Sequence, residues 1–261
     1  GRVDLPSEVM PFGQLAFRGN FTGFIHAFTA YGTLVSDLGD LRTDISYDRD
    51  TLPGYFHLGG RLATSGFALG AIAGTSNVEA LAADLKFRVA GRSIPEARAE
   101  LDGIIPSIRV NGATIENVVT RGVVERDLFD GVVRVQDNDL VLDFKGLADL
   151  RGPWPLVDFT ADLEHADLQS LGFAPRGGYH ALAAHIEARG RLSPDSLLGV
   201  IEATDISYCD DLGDHDLGYA RLSSMQEQGE DVLRLDATFA EAQVHGRFLP
   251  TRVADLVSNM M

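Results

Sequence analysis

Asn138-Asp139-Leu140-Val141-Leu142-Asp143-Phe144-Lys145-Gly146 decides the fold class of this chain. In an extended segment Leu140, Leu142 and Phe144 point to one side, and Val141, Asp143 and Lys145 point to the other. Strand side chains alternate faces with a period of two residues, so the segment builds one apolar face and one wetted face. Gly146 closes it, and a glycine at a strand position marks a bend, a bulge or a close backbone approach.

The pattern extends in both directions. Upstream, alternation over 15–21, 28–36, 41–47, 55–63 and 85–91 predicts strands, followed by strands over 104–110, 115–124 and 128–135. Downstream, the same signal falls at 157–163, 184–190, 233–239 and 243–246. Asn111-Gly112 is a tight hairpin turn by its residue types. Glycine recurs at strand positions 19, 32, 60, 91, 122, 146, 190 and 246, and bends repeated in successive strands would curve a sheet across its width. Irregular apolar spacing over 65–74 and the Pro95 region over 93–99 predict short helical turns. Residues 1–11 read as a lead-in and 250–261 as a terminal helix. Segments about 100 residues apart share a pattern, as 85–91 does with 184–190, which predicts a degenerate repeat with halves at 55–155 and 156–249 inside one elongated β unit spanning 1–261.

Of 261 residues 45% are apolar, enough for a folded β protein. The net charge of −16 sets the surface against phosphate backbones and excludes nucleic acid as the expected partner. It also opposes flat adhesion to anionic headgroups, but not the holding of acyl chains in an apolar groove. Cys209 is the one cysteine, so no intrachain disulfide forms. No run of 18 apolar residues is present. The start at Gly1 rather than Met leads us to expect a piece of a longer protein.

The patterns that would signal catalysis or a cofactor do not occur. His26, His57, His165, His180, His185, His215 and His245 include no pair at helical zinc-site spacing. There is no nucleophile elbow and no phosphate-cradling Gly-Lys-Ser/Thr loop. Asp210-Asp211-Leu212-Gly213-Asp214-His215-Asp216 reads either as a cation loop or as a solvated acidic hairpin tip, and it lacks EF-hand spacing. Cys209 has no activating histidine beside it. Trp154, between Pro153 and Pro155, reads as a cap on the end of a sheet or as a ligand grip. The expectation is a non-enzyme with no metal and no cofactor.

Arg18-Gly19-Asn20-Phe21-Thr22-Gly23-Phe24, then Phe28-Thr29-Ala30-Tyr31-Gly32-Thr33-Leu34, then Leu38-Gly39-Asp40-Leu41-Arg42-Thr43-Asp44-Ile45 form an ordered series. With Phe67-Ala68-Leu69-Gly70-Ala71-Ile72, the opening stretch, and Ile201-Glu202-Ala203-Thr204-Asp205-Ile206-Ser207-Tyr208, the series resembles the translocation and assembly module family TamB. TamB belongs to the wider AsmA-like group of envelope proteins, and the resemblance covers residues 12–249. It implies an all-β fold, an elongated, mostly antiparallel sheet curled into a U-shaped β-taco trough with an apolar interior. It also implies an internal periplasmic segment of an inner-membrane-anchored parent, engaged in phospholipid transport between inner and outer membrane and in outer-membrane biogenesis. An outer-membrane barrel partner of the Omp85 type would act through the parent, and phospholipid acyl chains would be the ligand. No anchor or barrel-contacting segment is recognisable, so no partner contact is assigned to this stretch.

The expected lipid-groove lining is Phe17, Leu58, Leu62, Phe87, Val89, Leu140, Leu142, Phe144, Phe159, Ile186, Leu235 and Phe239. Three alternatives stand beside the groove. The inward residues could pack on one another in a structural β-sandwich or closed barrel. The sheet could serve as a chaperone or scaffold for outer-membrane protein assembly. A carbohydrate-active β-solenoid would instead need aromatics and carboxylates together on one outer face.

Overall fold

The computed structural model describes residues 13–246 apart from 25, 51–53, 69, 74–77, 94–95, 153–154, 175–176, 194–195 and 228–229. The expected lead-in and terminal helix, Trp154, and the centre of the turn expected over 93–99 lie outside the described residues.

The described chain is all-β. Its strands are β1 (Ala16–Phe24), β2 (Ala27–Ser36), β3 (Gly39–Arg49), β4 (Phe56–Phe67), β5 (Val78–Gly91), β6 (Arg98–Val110), β7 (Ala113–Glu125) and β8 (Leu128–Gln136). They continue with β9 (Leu140–Asp149), β10 (Leu156–Asp167), β11 (His180–Ser193), β12 (Ser196–Asp210), β13 (Gly213–Glu227), β14 (Glu230–Ala237) and β15 (Ala240–Gly246). A single helical turn, α1 (Gly70–Ala73), follows β4. The strand order in the sheet is the chain order, and neighbours pair antiparallel. Among the described residues no helix is long and apolar enough to cross a membrane. Two compact units divide the chain, one of residues 1–126 with 135–137, the other of residues 127–134 with 138–261.

Within each unit a strand's extensive contacts are with its sequence neighbours. The consequence is a thin core. Alanine dominates the buried apolar residues, as at Ala30, Ala83, Ala161, Ala184 and Ala188, and no large described side chain is fully buried. One cluster stands out in the first unit, where Leu81, Ala83 and Leu85 pack with Ile105 and Ile108. A register shift between β5 and β6 at Ala82/Asp84 gives β6 an extra residue between Ile104 and Ser107 and so brings both isoleucines to that cluster despite their odd spacing.

Several expected elements run longer than their alternation. β4 continues to Phe67, which is buried at 5% exposure, so the helical turn expected over 65–74 shrinks to α1. A register shift against β5 between Thr64 and Phe67 breaks the period there, which is why the sequence reads as irregular. β13 carries no clean alternation, yet it pairs with β12 and β14 over most of its length. The tight turn is where its residues put it, with Asn111 at φ 50° and Gly112 at φ 82°, both in the left-handed region that a two-residue hairpin loop uses.

Two glycines are required by close approach. Gly146 has φ 139°, and a Cβ there would lie 2.3 Å from the Asp158 carbonyl oxygen and 2.5 Å from Phe159 Cα. Gly60 has φ 145°, and its Cβ would lie 2.0 Å from the Asp44 carbonyl oxygen. Both sit in the apolar rows described below, at points where the neighbouring backbone occupies the space a side chain would need. Gly146→Val is therefore expected to cost on the order of 3 kcal/mol or more, because strain and a backbone clash combine. Gly112→Ala, at a turn with nothing within 4 Å of the new Cβ, is expected to cost only about 1 kcal/mol. Urea unfolding of both variants checks this, and equal costs would remove the close-approach argument.

Candidate functional site

The register sorts side chains into rows that cross the strands. In the first unit one row runs Phe21–Ala30–Ile45–Gly60–Phe87–Leu101–Gly122 from β1 to β7. Beside it on the same face lie Leu58 opposite Val89 and Leu62 opposite Leu85. Leu58, Leu62, Phe87 and Val89 thus gather on the β4–β5 pair, all half-buried, and Phe17 joins their face from β1 at 40% exposure. An aromatic ladder that the sequence reading missed crosses the same face. Phe21, Phe28, Tyr47 and Phe56 stack in succession with ring centroids 4.9, 5.2 and 6.2 Å apart. Its signal lies in register, since these residues come from four different strands.

In the second unit the corresponding row runs Gly146–Phe159–Ala188–Ile201–Leu222–Leu235 from β9 to β14. Phe144 faces Ala161, which faces Ile186, and Leu142 faces Leu163. Leu140 pairs with Ala166 beyond a bulge in β10. Phe144 lies between Phe129 and Phe159, with ring centroids 5.8 and 5.2 Å away. Phe239 departs from the expected lining. It sits in the turn between β14 and β15, is 64% exposed and belongs to neither face, because the strand ends at Ala237 while the alternation runs on.

The opposite face is charged. In the first unit Asp44–Arg61–Lys86–Asp102–Arg121 form one row. Arg61 donates to both carboxylate oxygens of Asp84, at 2.7 and 2.6 Å. That fork holds the Asp84 carboxyl below its ordinary range and raises the guanidinium. Arg121 meets Asp102 at 2.9 Å, and Arg88 meets Glu100 at 3.6 Å. The face is also hollowed. A concavity of about 870 Å³ opens over Gly59, lined by Arg61, Lys86, Arg88 and Arg121 together with Asp44, Glu100 and Asp102.

In the second unit Arg134 pairs with Asp143 at 2.5 Å and Arg189 with Asp158 at 3.2 Å. Hydrogen bonds from Arg151 hold the Asp149 carboxyl at about 2. Exposed pairs of this kind contribute little stability each, so their main effect is to keep this face wetted. The acidic stretch over 210–216 is a hairpin tip, with Asp210 accepting from the Leu212 amide at 2.8 Å and facing His215 at 3.1 Å. The Cys209 thiol is pushed up by Asp214 and by partial burial, the reverse of an activated nucleophile. Among the described residues no three His, Cys, Asp or Glu side chains gather as metal ligands. No protein-family model, curated protein or solved structure matches this chain.

One titration follows from the charged face. His185 bonds to Asp162, and its other ring nitrogen lies 3.5 Å from Glu187. The Asp162 hydrogen bond, aided by Glu187, raises the imidazole above the ordinary histidine value. A raised folded-state value means the stabilising contribution is complete below the ordinary value and is lost as pH rises through the raised one. We expect the thermal midpoint to fall across that window in the native chain and to stay level in His185→Gln. A ring titration of His185 at or below the ordinary value, followed by NMR, would contradict this.

Proposed function

We propose that this chain is a lipid-binding segment that holds phospholipid acyl chains along its apolar face. It would act as part of a bridge-like periplasmic protein contributing to phospholipid transport between inner and outer membrane. The observation that carries the proposal is the one-sidedness of each unit. An apolar row crosses seven strands in the first unit and six in the second, and the opposite face is charged. Half-buried leucines and phenylalanines on a sheet with a thin core are the surface that acyl chains would cover. Each CH₂ buried contributes about 0.8 kcal/mol, so partial burial of one chain outweighs modest ordering costs. A face built of rows rather than a closed pocket lets a chain slide along it.

The U-shaped β-taco trough belongs to this proposal. Gly60 and Gly146 suit a sheet that curves, because glycine kinks at defined strand positions are a device for curving sheets. The periplasmic location and the Omp85-type barrel partner rest on the resemblance to TamB. A second reading is favoured by β1, whose residues are exposed along the whole strand, including Phe21 at 55%. An open edge and an apolar face together would suit a chaperone or scaffold holding unfolded barrel strands.

Native mass spectrometry of the purified chain is expected to detect co-purified phospholipid. Photo-crosslinkers at 87 or 142 are expected to capture it, and one at 143 is not. Capture of peptide instead of lipid at 87 and 142 would favour the chaperone, and equal labelling at both parities would remove both readings.

A further inference from the structure

The concavity on the charged face of the first unit has no part in holding acyl chains, and it sets two cations side by side although Asp84 engages one of them, Arg61. Arg61 and Lys86 stand directly opposite one another across β4 and β5. Like charges so placed on an antiparallel pair are destabilising. Arg88 adds a third cation two residues along the same face, with Glu100 3.6 Å from it. The nearby carboxylates do not relieve Lys86. Asp102, its partner across β5 and β6, is engaged by Arg121 at 2.9 Å, and Lys86 makes no ion pair among the described residues. Beneath these cations Gly59 puts no side chain on the floor, where an added Cβ would pack at 3.5 Å from the Phe87 carbonyl oxygen and 3.8 Å from Arg88 Cγ.

The distribution of charge along the chain points the same way. Residues 1–126 carry 12 Lys and Arg against 14 Asp and Glu, whereas residues 127–261 carry 10 against 24. The net charge of −16 therefore sits mostly in the second unit, and the field that would repel an anion is weak at the first.

We propose that this hollow binds a phosphate-bearing anion, with Lys86 and Arg88 as its principal contacts and Arg61 and Arg121 at the rim. Several cations around one opening suit an oxyanion that spreads charge over several oxygens. Lysine supplies a point charge, and arginine supplies a planar fork that matches phosphate oxygens. The recognised chemistry is the phosphoryl group, whether carried by a soluble phosphate ester or by a lipid headgroup. The site lies on the opposite face from the acyl-chain surface, so it stands or falls separately from the function proposed above.

The test uses the full chain with two probes, glycerol 3-phosphate in solution and vesicles of phosphatidylglycerol in phosphatidylcholine. Saturable amide shifts centred on residues 59, 61, 86 and 88 are expected. Lys86→Ala should weaken binding at least about tenfold, as loss of a charge-assisted contact does, and Lys86→Arg should retain most of it. Lys145→Ala, at an exposed cation on the charged face of the second unit, should leave binding unchanged. Unaltered amide spectra away from position 86 show that the variants fold. Lys86-dependent binding of glycerol 3-phosphate assigns a soluble ester, and Lys86-dependent binding of vesicles alone assigns a headgroup. Absence of saturable binding to both probes, binding indifferent to Lys86, or shifts spread evenly over the basic residues of both units would overturn the site.

Discussion

Lateral pairing between sequence neighbours is the constraint on which everything else in this molecule depends. A slip of one residue in any strand would turn its whole apolar set to the other face. Register keeps Ile45, Gly60, Phe87 and Leu101 in one row and Asp44, Arg61, Lys86 and Asp102 in the row behind it. Moving β5 by one position would place Lys86 among the leucines, a cost that the thin core could not absorb. Short connections reinforce the register, and left-handed Asn111 and Gly112 tie β6 to β7 without slack.

Stability in such a molecule comes from cross-strand pairs repeated many times, each contributing roughly 0.2–1 kcal/mol. The aromatic ladder from Phe21 to Phe56 and the Phe129–Phe144–Phe159 stack are the denser instances. The buried residues are mostly small, so the large apolar side chains retain partial exposure and remain able to meet a ligand. The architecture that limits the core is thus the same one that leaves large apolar side chains partly exposed.

Much of the fold was legible in the sequence, because period-two alternation depends on single residues and their immediate neighbours. Leu140, Leu142 and Phe144 lie on one side of β9 as their spacing requires, and Gly146 sits where the backbone of β10 approaches. The failures share a cause, which is that the deciding contact lies on another strand. β13 has few apolar alternations and takes its conformation from β12 and β14. β4 reaches Phe67 through a register shift that no local pattern reports. Phe239 continues a run of alternating residues beyond the strand's last pairing, at Ala237 with Ala240. Of the candidate surface, the apolar residues were readable one strand at a time. The opposition of Arg61 to Lys86, and the hollow over Gly59, exist only once β4 and β5 are aligned.

On the function proposed above, the apolar rows face a space open to acyl chains and are not sealed against protein. Paramagnetic relaxation of side-chain methyl groups by a fatty acid carrying a nitroxide on its tail tests it most directly. Strong broadening is expected at Leu58, Leu62 and Leu142, and little at Val200 and Val119 on the charged face. Methyl groups of Leu58, Leu62 and Leu142 that stay sharp with the labelled fatty acid present would contradict it, because those residues would then be packed inside protein.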